Sequence, residues 1–323
     1  MKYKQKLTIL LTAIAALALA YICSFIFDRD RVASRTALFS WLDTKLAAEA
    51  EKITLWNTES GLELLRKNDL WFVAQDEREY PAKQLRVADF IGVLTRRASY
   101  PVRTNNAAAQ ERLGLDGAVA PRITVSGAYD RPLLDLLIGY GDAAGQNIYM
   151  RKYDSNEVRS GEDKFSAYLF SAPASWYNLR LVPETEDNRL DIDRVQRLTV
   201  YSGDDAGGSG EPQIFTRKAR QWTFNRVDDA ALDMEKVNAY IRAVLYAEGD
   251  NFNGEIPADD AMFNNSRIII ELGSGDVKTI YLSAPDEENR RYATVSGTGL
   301  VYSLAEWMGD RLFNTAEHFR KGE

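Results

Sequence analysis

The sequence predicts an α+β fold: one N-terminal transmembrane helix, then two similar units, each an antiparallel sheet covered by a helix. Three observations predict it. An uncharged apolar run extends from Leu7 to Phe27. The rest of the chain is mostly strand-like, with one strongly amphipathic stretch in each half. Those elements recur in the same order in both halves.

The apolar run is rich in Leu, Ala and Ile, and includes Leu7, Leu11 and Leu17. At about 1.5 Å per residue it is long enough to cross a hydrocarbon core of about 30 Å as a helix. Tyr21, Phe25 and Phe27 sit near its far end, where interfacial aromatics are common. Lys2, Lys4 and Lys6 precede it, whereas Asp28, Arg29, Asp30 and Arg31 carry both signs beyond it. The positive-inside rule then gives a cytoplasmic tail over 1–6, a span over 7–27 and an extracytoplasmic remainder, anchored in the inner membrane by a single pass.

Two rival readings concern the same segment. Ala18-Leu19-Ala20 has the small-residue pattern of a signal-peptide cleavage site, but apolar residues continue past it to Phe27, which favours a retained helix. Bacterial lipidation signals resemble a small residue just before a cysteine, and Ile22 precedes Cys23. As the only cysteine, Cys23 excludes an internal disulfide and a multi-cysteine zinc site.

The net charge is −7, from 40 basic and 47 acidic residues. Setting aside Lys2, Lys4 and Lys6 leaves 37 basic against 47 acidic residues, or −10, beyond the apolar run. No Lys/Arg run of five occurs, which argues against a nucleic-acid surface and against outer domains lying on anionic lipid.

Residues 28–50 form a helical spacer, with Ala37, Leu38, Trp41, Leu42, Leu46 and Ala47 at helical spacing. The first α+β unit covers 51–185. Its strands include Ile53 and Leu55, Leu62 to Leu65 and Leu70 to Val73. A helix over Lys83 to Arg97 presents Val87, Phe90, Ile91 and Leu94 at i, i+3, i+4 and i+7. Strands follow at Ile123 to Val125, Leu133 to Ile138, Ile148 to Arg151 and Phe165 to Phe170.

The second unit covers 192–316. Strands at Val195 to Tyr201, Gln213 to Arg217 and Trp222 to Asn225 precede a helix over Asp233 to Tyr246, whose face is Val237, Tyr240, Ile241 and Val244. Strands at Arg267 to Leu272, Val277 to Leu282, Arg291 to Val295 and Leu300 to Leu304 close it, and 317–323 is a helical tail. Three pairs of landmarks align the units: Arg66-Lys67 before Trp71 with Arg217-Lys218 before Trp222; Arg122 with Arg267; and Trp176, Arg180, Leu181 with Trp307, Arg311, Leu312. A polar linker over Pro183 to Asp193 separates the units, and Gly203 to Gly210 is a loop between two strands.

This layout resembles the DUF4340 family of membrane-anchored bacterial proteins over most of 50–315. The resemblance rests on Trp71 and Trp222 ahead of the helices, Leu113-Gly114-Leu115 ahead of Pro121, and Ile138-Gly139 ahead of the Tyr149 strand. The second unit departs from the pattern at Gly254 to Phe263 and Ile280 to Leu282. The resemblance implies an accessory component of the kind associated with ABC-2-type transporter permeases and gliding-motility-like auxiliary proteins. It implies no established catalytic residues.

No catalytic, cofactor-binding or metal-binding set emerges from the residues themselves. The only histidine, His318, falls in the expected tail, and Cys23 falls in the apolar run, so neither supplies a nucleophile–base pair held in a cleft. No phosphate-binding loop occurs; Gly139-Tyr140-Gly141, Gly273-Ser274-Gly275 and Gly297-Thr298-Gly299 fall where turns are expected. Asp187, Asp191 and Asp193 lack the glycine and terminal glutamate of a calcium loop, and Asp228-Asp229 and Asp259-Asp260 suit turns or helix starts.

Trp71, Trp222, Trp176 and Trp307 are either a stacking platform or the bulky centres of two small cores, and their repetition favours the core. Arg122 and Arg267 either bind an anion or open exposed strands. Tyr129, Tyr140, Tyr149 and Tyr153 suit a partner surface. The expectation is a non-enzymatic, membrane-anchored accessory or scaffold protein binding an ABC-type transporter or envelope component. The alternatives are a small-ligand or polysaccharide-binding module and a carboxylate-dependent glycan or peptide hydrolase.

Overall fold

The computed structural model describes Leu17 and residues 41–42, 46–182, 192–203, 211–219, 221–264 and 266–322. The expected anchor residues Leu7, Leu11, Tyr21 and Phe27, most of the spacer, and the linker over 183–191 lie outside the described residues. Among the described residues no helix is long and apolar enough to cross a membrane. The chain divides into two compact α+β units between Pro173 and Ala174.

The first unit opens with a short helix α1 (Leu46–Glu49), followed by β1 (Lys52–Trp56), β2 (Gly61–Lys67), β3 (Leu70–Gln75) and β4 (Arg78–Pro81). Helix α2 (Gln84–Thr95) leads to β5 (Val102–Thr104), then β6 (Arg122–Gly127), β7 (Arg131–Gly141), β8 (Asn147–Lys152), β9 (Val158–Glu162) and the short α3 (Ser166–Leu169). These strands form one antiparallel sheet in the order β4-β3-β2-β1-β6-β7-β8-β9-β5. The β2–β3 turn is a two-residue hairpin in which Asn68 (φ 49°) and Asp69 (φ 64°) take the left-handed conformation that matches strand twist.

The second unit contains β10 (Val195–Tyr201), β11 (Gln213–Lys218), β12 (Gln221–Phe224), α4 (Met234–Leu245) and β13 (Asn251–Phe252). It continues with β14 (Ser266–Leu272), β15 (Val277–Leu282), β16 (Arg291–Val295), β17 (Val301–Leu304) and α5 (Glu306–Leu312). Its order is β12-β11-β10-β14-β15-β16-β17-β13. Apart from β4, this is the order of the first sheet, strand for strand. In each unit the main helix connects one sheet edge to the other, and the chain then returns to the centre beside the first strand.

The registers agree as well. Arg66 faces Trp71 across one hairpin and Arg217 faces Trp222 across the other. Trp56 faces Arg122 at the centre of the first sheet, and Tyr201 faces Arg267 at the centre of the second. Alternation places Ile53, Leu55, Ile123 and Val125 inward in the first unit, and Leu198, Val200, Ile268 and Ile270 inward in the second. The main helices bury Val87, Phe90 and Leu94 on α2, where Ile91 is only partly buried, and the whole expected face of Val237, Tyr240, Ile241 and Val244 on α4.

Each sheet is also covered on part of its second face. In the first unit, Leu115 and Ala120 from the loop before β6 pack with Leu137 and Val158. Buried Arg151 ties that loop down by donating to the carbonyls of Leu115, Lys152, Tyr153 and Ser155. In the second unit, the loop before β14 brings buried Phe263 to the corresponding place.

Several expectations are corrected. Phe165 to Phe170 is not a strand: Phe165 and Leu169 are both buried one helical turn apart, around α3, and the sheet position belongs to β9. Gly139-Tyr140-Gly141 is not a turn but an irregular part of β7, with a register shift between Ile138 and Gly141. A Cβ on Gly139 would lie 2.3 Å from the carbonyl oxygen of Leu113, so the glycine admits the covering loop. By contrast, Gly275, Gly297 and Gly299 do occupy turns at positive φ.

The C-terminal segment is likewise more than a tail: it packs into the second unit. Phe319 is fully buried, Asp233 N–H donates to its carbonyl, and Lys321 N–H donates to Ala231. Residues 174–182 belong to the second unit, where Leu181 N–H donates to Ala247 and Gly249 N–H to Leu179. The Trp176, Arg180, Leu181 motif therefore does not end the first unit. By strand order, α3 follows β9 as α5 follows β17.

Candidate functional site

The outward faces of β1 and β6 build the candidate site. Since Ile53 and Leu55 point inward, Trp56 points outward, and it is 39% exposed. Its cross-strand neighbour is Arg122. The Arg122 guanidinium is fixed by two hydrogen bonds to Asp135, from Nε to Oδ1 at 2.7 Å and from a terminal nitrogen to Oδ2 at 2.5 Å. It also lies 4.0 Å from the ring centroid of Tyr153, which is 47% exposed. The hydrogen bond to Asp135 is the main cause that raises the Arg122 pKa, so the cation is permanent. Trp56, Arg122 and Tyr153 thus form a half-exposed row, with the paired guanidinium against the Tyr153 ring and Trp56 beside it as the cross-strand neighbour.

This arrangement suits contact chemistry. Trp, Tyr and Arg present large, stiff surfaces with a polar edge, and they dominate the energetics of protein interfaces. The Asp135 pairing holds the guanidinium in place before any partner arrives, which lowers the ordering cost. The second unit carries a reduced version, with the Arg267 guanidinium 4.2 Å from the centroid of its cross-strand neighbour Tyr201.

Other singled-out residues are distributed differently. Trp71, Trp222 and Trp176 are core residues, whereas Trp307 is 59% exposed on α5. Arg180 lies near Glu248 and over the Tyr246 ring, within the second unit. Arg311 is exposed beside buried Leu312 on α5. Tyr129 is fully exposed at φ 57° in the β6–β7 turn, and Tyr149 is partly buried against the Leu115 cluster. Tyr140 is exposed, with its ring 2.9 Å from where a Cβ on Gly114 would lie. Of the four tyrosines, only Tyr153 joins the row.

Among the described residues, no group of three or more His, Cys, Asp or Glu side chains is placed to hold a metal ion. Asp193 bonds Arg217, Asp260 Oδ1 accepts from Met262 N–H, and His318 is exposed against the edge of Phe319. Asp187 and Asp191 lie outside the described residues.

Sequence reasoning selected Arg122 and Arg267 but missed Trp56, Asp135 and Tyr201. The available signal was an outward-facing tryptophan at the end of a strand whose alternate residues are aliphatic. Comparison of the chain with protein-family models, curated proteins and solved structures finds no match.

Proposed function

We propose that this chain is a non-enzymatic accessory or scaffold protein, anchored in the inner membrane by residues 7–27, whose extracytoplasmic units bind a protein partner. The single observation that carries the binding role is the exposed row of Trp56, Arg122 and Tyr153, with its guanidinium fixed by Asp135. The apolar run and its flanking charges support the anchor. The DUF4340 resemblance supports a transporter or envelope component as the partner.

The test uses the full-length tagged chain in native membranes, with mild crosslinking before detergent extraction. Replacing Trp56 and Tyr153 with Ala removes the row and leaves the inward residues in place. Loss of the two interface anchors, together worth about 1.4 kcal/mol or more, weakens recovery of the partner at least about tenfold. Partner recovery unchanged by the double substitution removes the row from the account. A chain found outside the membrane fraction removes the anchor.

A further inference from the structure

The two sheets differ at one edge. In the first unit β4 pairs antiparallel with β3, through Phe72 with Pro81, Val73 with Tyr80 and Ala74 with Glu79. The backbone of Trp71 also points to that edge and is fully engaged. Gln84 Oε1 accepts from Trp71 N–H at 2.9 Å, and Gln84 Nε2 and Ala82 N–H donate to its carbonyl at 2.9 and 3.0 Å. Lys67, at the foot of the hairpin, bonds both carboxylate oxygens of Glu79 on β4 at 2.5 and 2.7 Å.

The second unit repeats the hairpin and omits the cover. Arg217 faces Trp222, and Lys218 faces Gln221, as Arg66 faces Trp71 and Lys67 faces Leu70. The covering strand shrinks to one bridge, between Phe224 and Val227. Met234 opens α4 where Gln84 opens α2, so a thioether replaces the amide clamp. Asn225 N–H donates to the Ile214 carbonyl, so alternation along the antiparallel pair turns the backbone groups of Trp222 away from β11. Among the described residues nothing bonds them, although Trp222 is only 2% exposed. Buried backbone groups are almost always paired, so among the described residues this edge is incomplete. A groove of about 730 Å³ opens beside it, lined by Gln221, Trp222, Thr223, Leu232 and Met234. Lys218 also lines it, and has no carboxylate partner among the described residues.

We propose that the β12 edge is a docking site for an extended segment of a partner protein, added antiparallel in the place that Arg78 to Ala82 hold against β3. The first unit supplies the chemistry. Main-chain groups of the segment bond Trp222, and a carboxylate pairs with Lys218 as Glu79 pairs with Lys67. Asp229, Asp233 and Glu235 also line the groove and outnumber Lys321, whose ammonium donates to the Ala230 carbonyl, so a basic residue belongs beside that acid, as Arg78 lies beside Glu79. Strand addition of this kind draws affinity from main-chain bonds and selectivity from the flanking side chains. The proposal rests on the binding role given above, and names a second contact for it.

The test uses the purified full-length chain in detergent and a fluorescent peptide copying Glu77 to Gln84 as the probe. Saturable binding is expected. Met234→Gln, which restores the clamp of the first unit, is expected to weaken it at least tenfold. Lys218→Glu is expected to weaken it similarly, and a peptide with Glu79 changed to Lys is expected to recover binding to that variant. Amide exchange at Trp222 is expected to be fast without peptide and slowed by it. No saturable binding, equal binding to all variants, or a Trp222 amide already protected without peptide overturns the proposal; the last places another segment of this chain on the edge. If partner recovery in membranes still depends on Trp56 and Tyr153 while the peptide fails, the edge proposal falls and the binding role stands. Failure of both removes both.

Discussion

Removing the Phe319 side chain should unfold the second unit locally and leave the first untouched. Phe319 is fully buried although it lies close to the end of the chain. Its ring centroid is 5.0 Å from Phe215, 5.3 Å from Phe224 and 5.2 Å from Tyr240, each in an edge-on arrangement. Truncating a buried Phe to Ala costs about 3–5 kcal/mol, and a chain terminus can collapse into part of the cavity, which favours the lower end. Three edge-on ring contacts act in the opposite direction, at about 0.5–1.5 kcal/mol each. About 3 kcal/mol is therefore a floor, equivalent to more than a hundredfold in an opening equilibrium. Amide hydrogen exchange of the full-length chain measures this directly for the slow amides of α4, including Ile241 and Val244, with Phe90 on α2 as the internal control. Phe319→Ala should accelerate the former more than a hundredfold and leave the latter unchanged. Unchanged exchange in α4, or equal acceleration in both units, refutes the placement of the C-terminal segment in a separate core.

Three further outcomes follow from local geometry. Gly139→Ala places a Cβ 2.3 Å from the Leu113 carbonyl oxygen, so the loop before β6 must lift; a cost of about 1–3 kcal/mol is expected, read as faster proteolysis of residues 105–121. Asp233 Oδ1 caps α4 by accepting from Glu235 and Lys236 N–H, so Asp233→Ala should lower stability by about 1 kcal/mol in chemical denaturation, whereas Lys83→Ala, at the uncapped start of α2, should not. The Asp142 carboxyl is held below its usual range chiefly by the Asn147 side-chain amide, so its contribution to closing the β7–β8 turn is complete above the ordinary Asp pKa and is lost as pH falls through the lowered native value. Amide exchange at Gln146 and Asn147, corrected for intrinsic rates, should speed up over that acid range, and not in Asp142→Asn.

Local signals and internal comparison carried much of the fold. The apolar faces of α2 and α4 follow the 3.6 period because each helix has one buried side. The recurrence of Arg66-Lys67 and Arg217-Lys218 ahead of Trp71 and Trp222 reflects one hairpin register used twice. Elsewhere the local pattern misleads. Val158, Arg159, Ser160 and Gly161 are all buried, because β9 is covered on both faces, so no period-two alternation appears there. Phe165 and Leu169 look strand-like in composition, but their packing is that of one helical turn. Trp176 and Trp307 share a motif without sharing an environment, since one is fully buried and the other exposed.

The candidate site was half legible. Arg122 and Arg267 stand out by position, but their aromatic neighbours depend on which strands meet, and β1 meets β6 across 65 residues of intervening chain. The open edge of β12 was not legible from the second unit alone. It becomes visible only when Gln84 and Met234 are seen to occupy the same helix position, and when the segment after β12 is seen to form one bridge where β4 forms a ladder. A strand edge is defined by what does not pair with it, and that is a tertiary property.

The most direct test of the account is site-specific photo-crosslinking in native membranes, with the photoreactive residue at position 56 in the full-length chain and, as a control, at the exposed Leu85 on α2. The account predicts a discrete adduct with one membrane or envelope protein from position 56, weakened at least about tenfold by Arg122→Ala and absent from position 85. The same adducts from both positions, or an adduct from position 56 indifferent to Arg122→Ala, would contradict it.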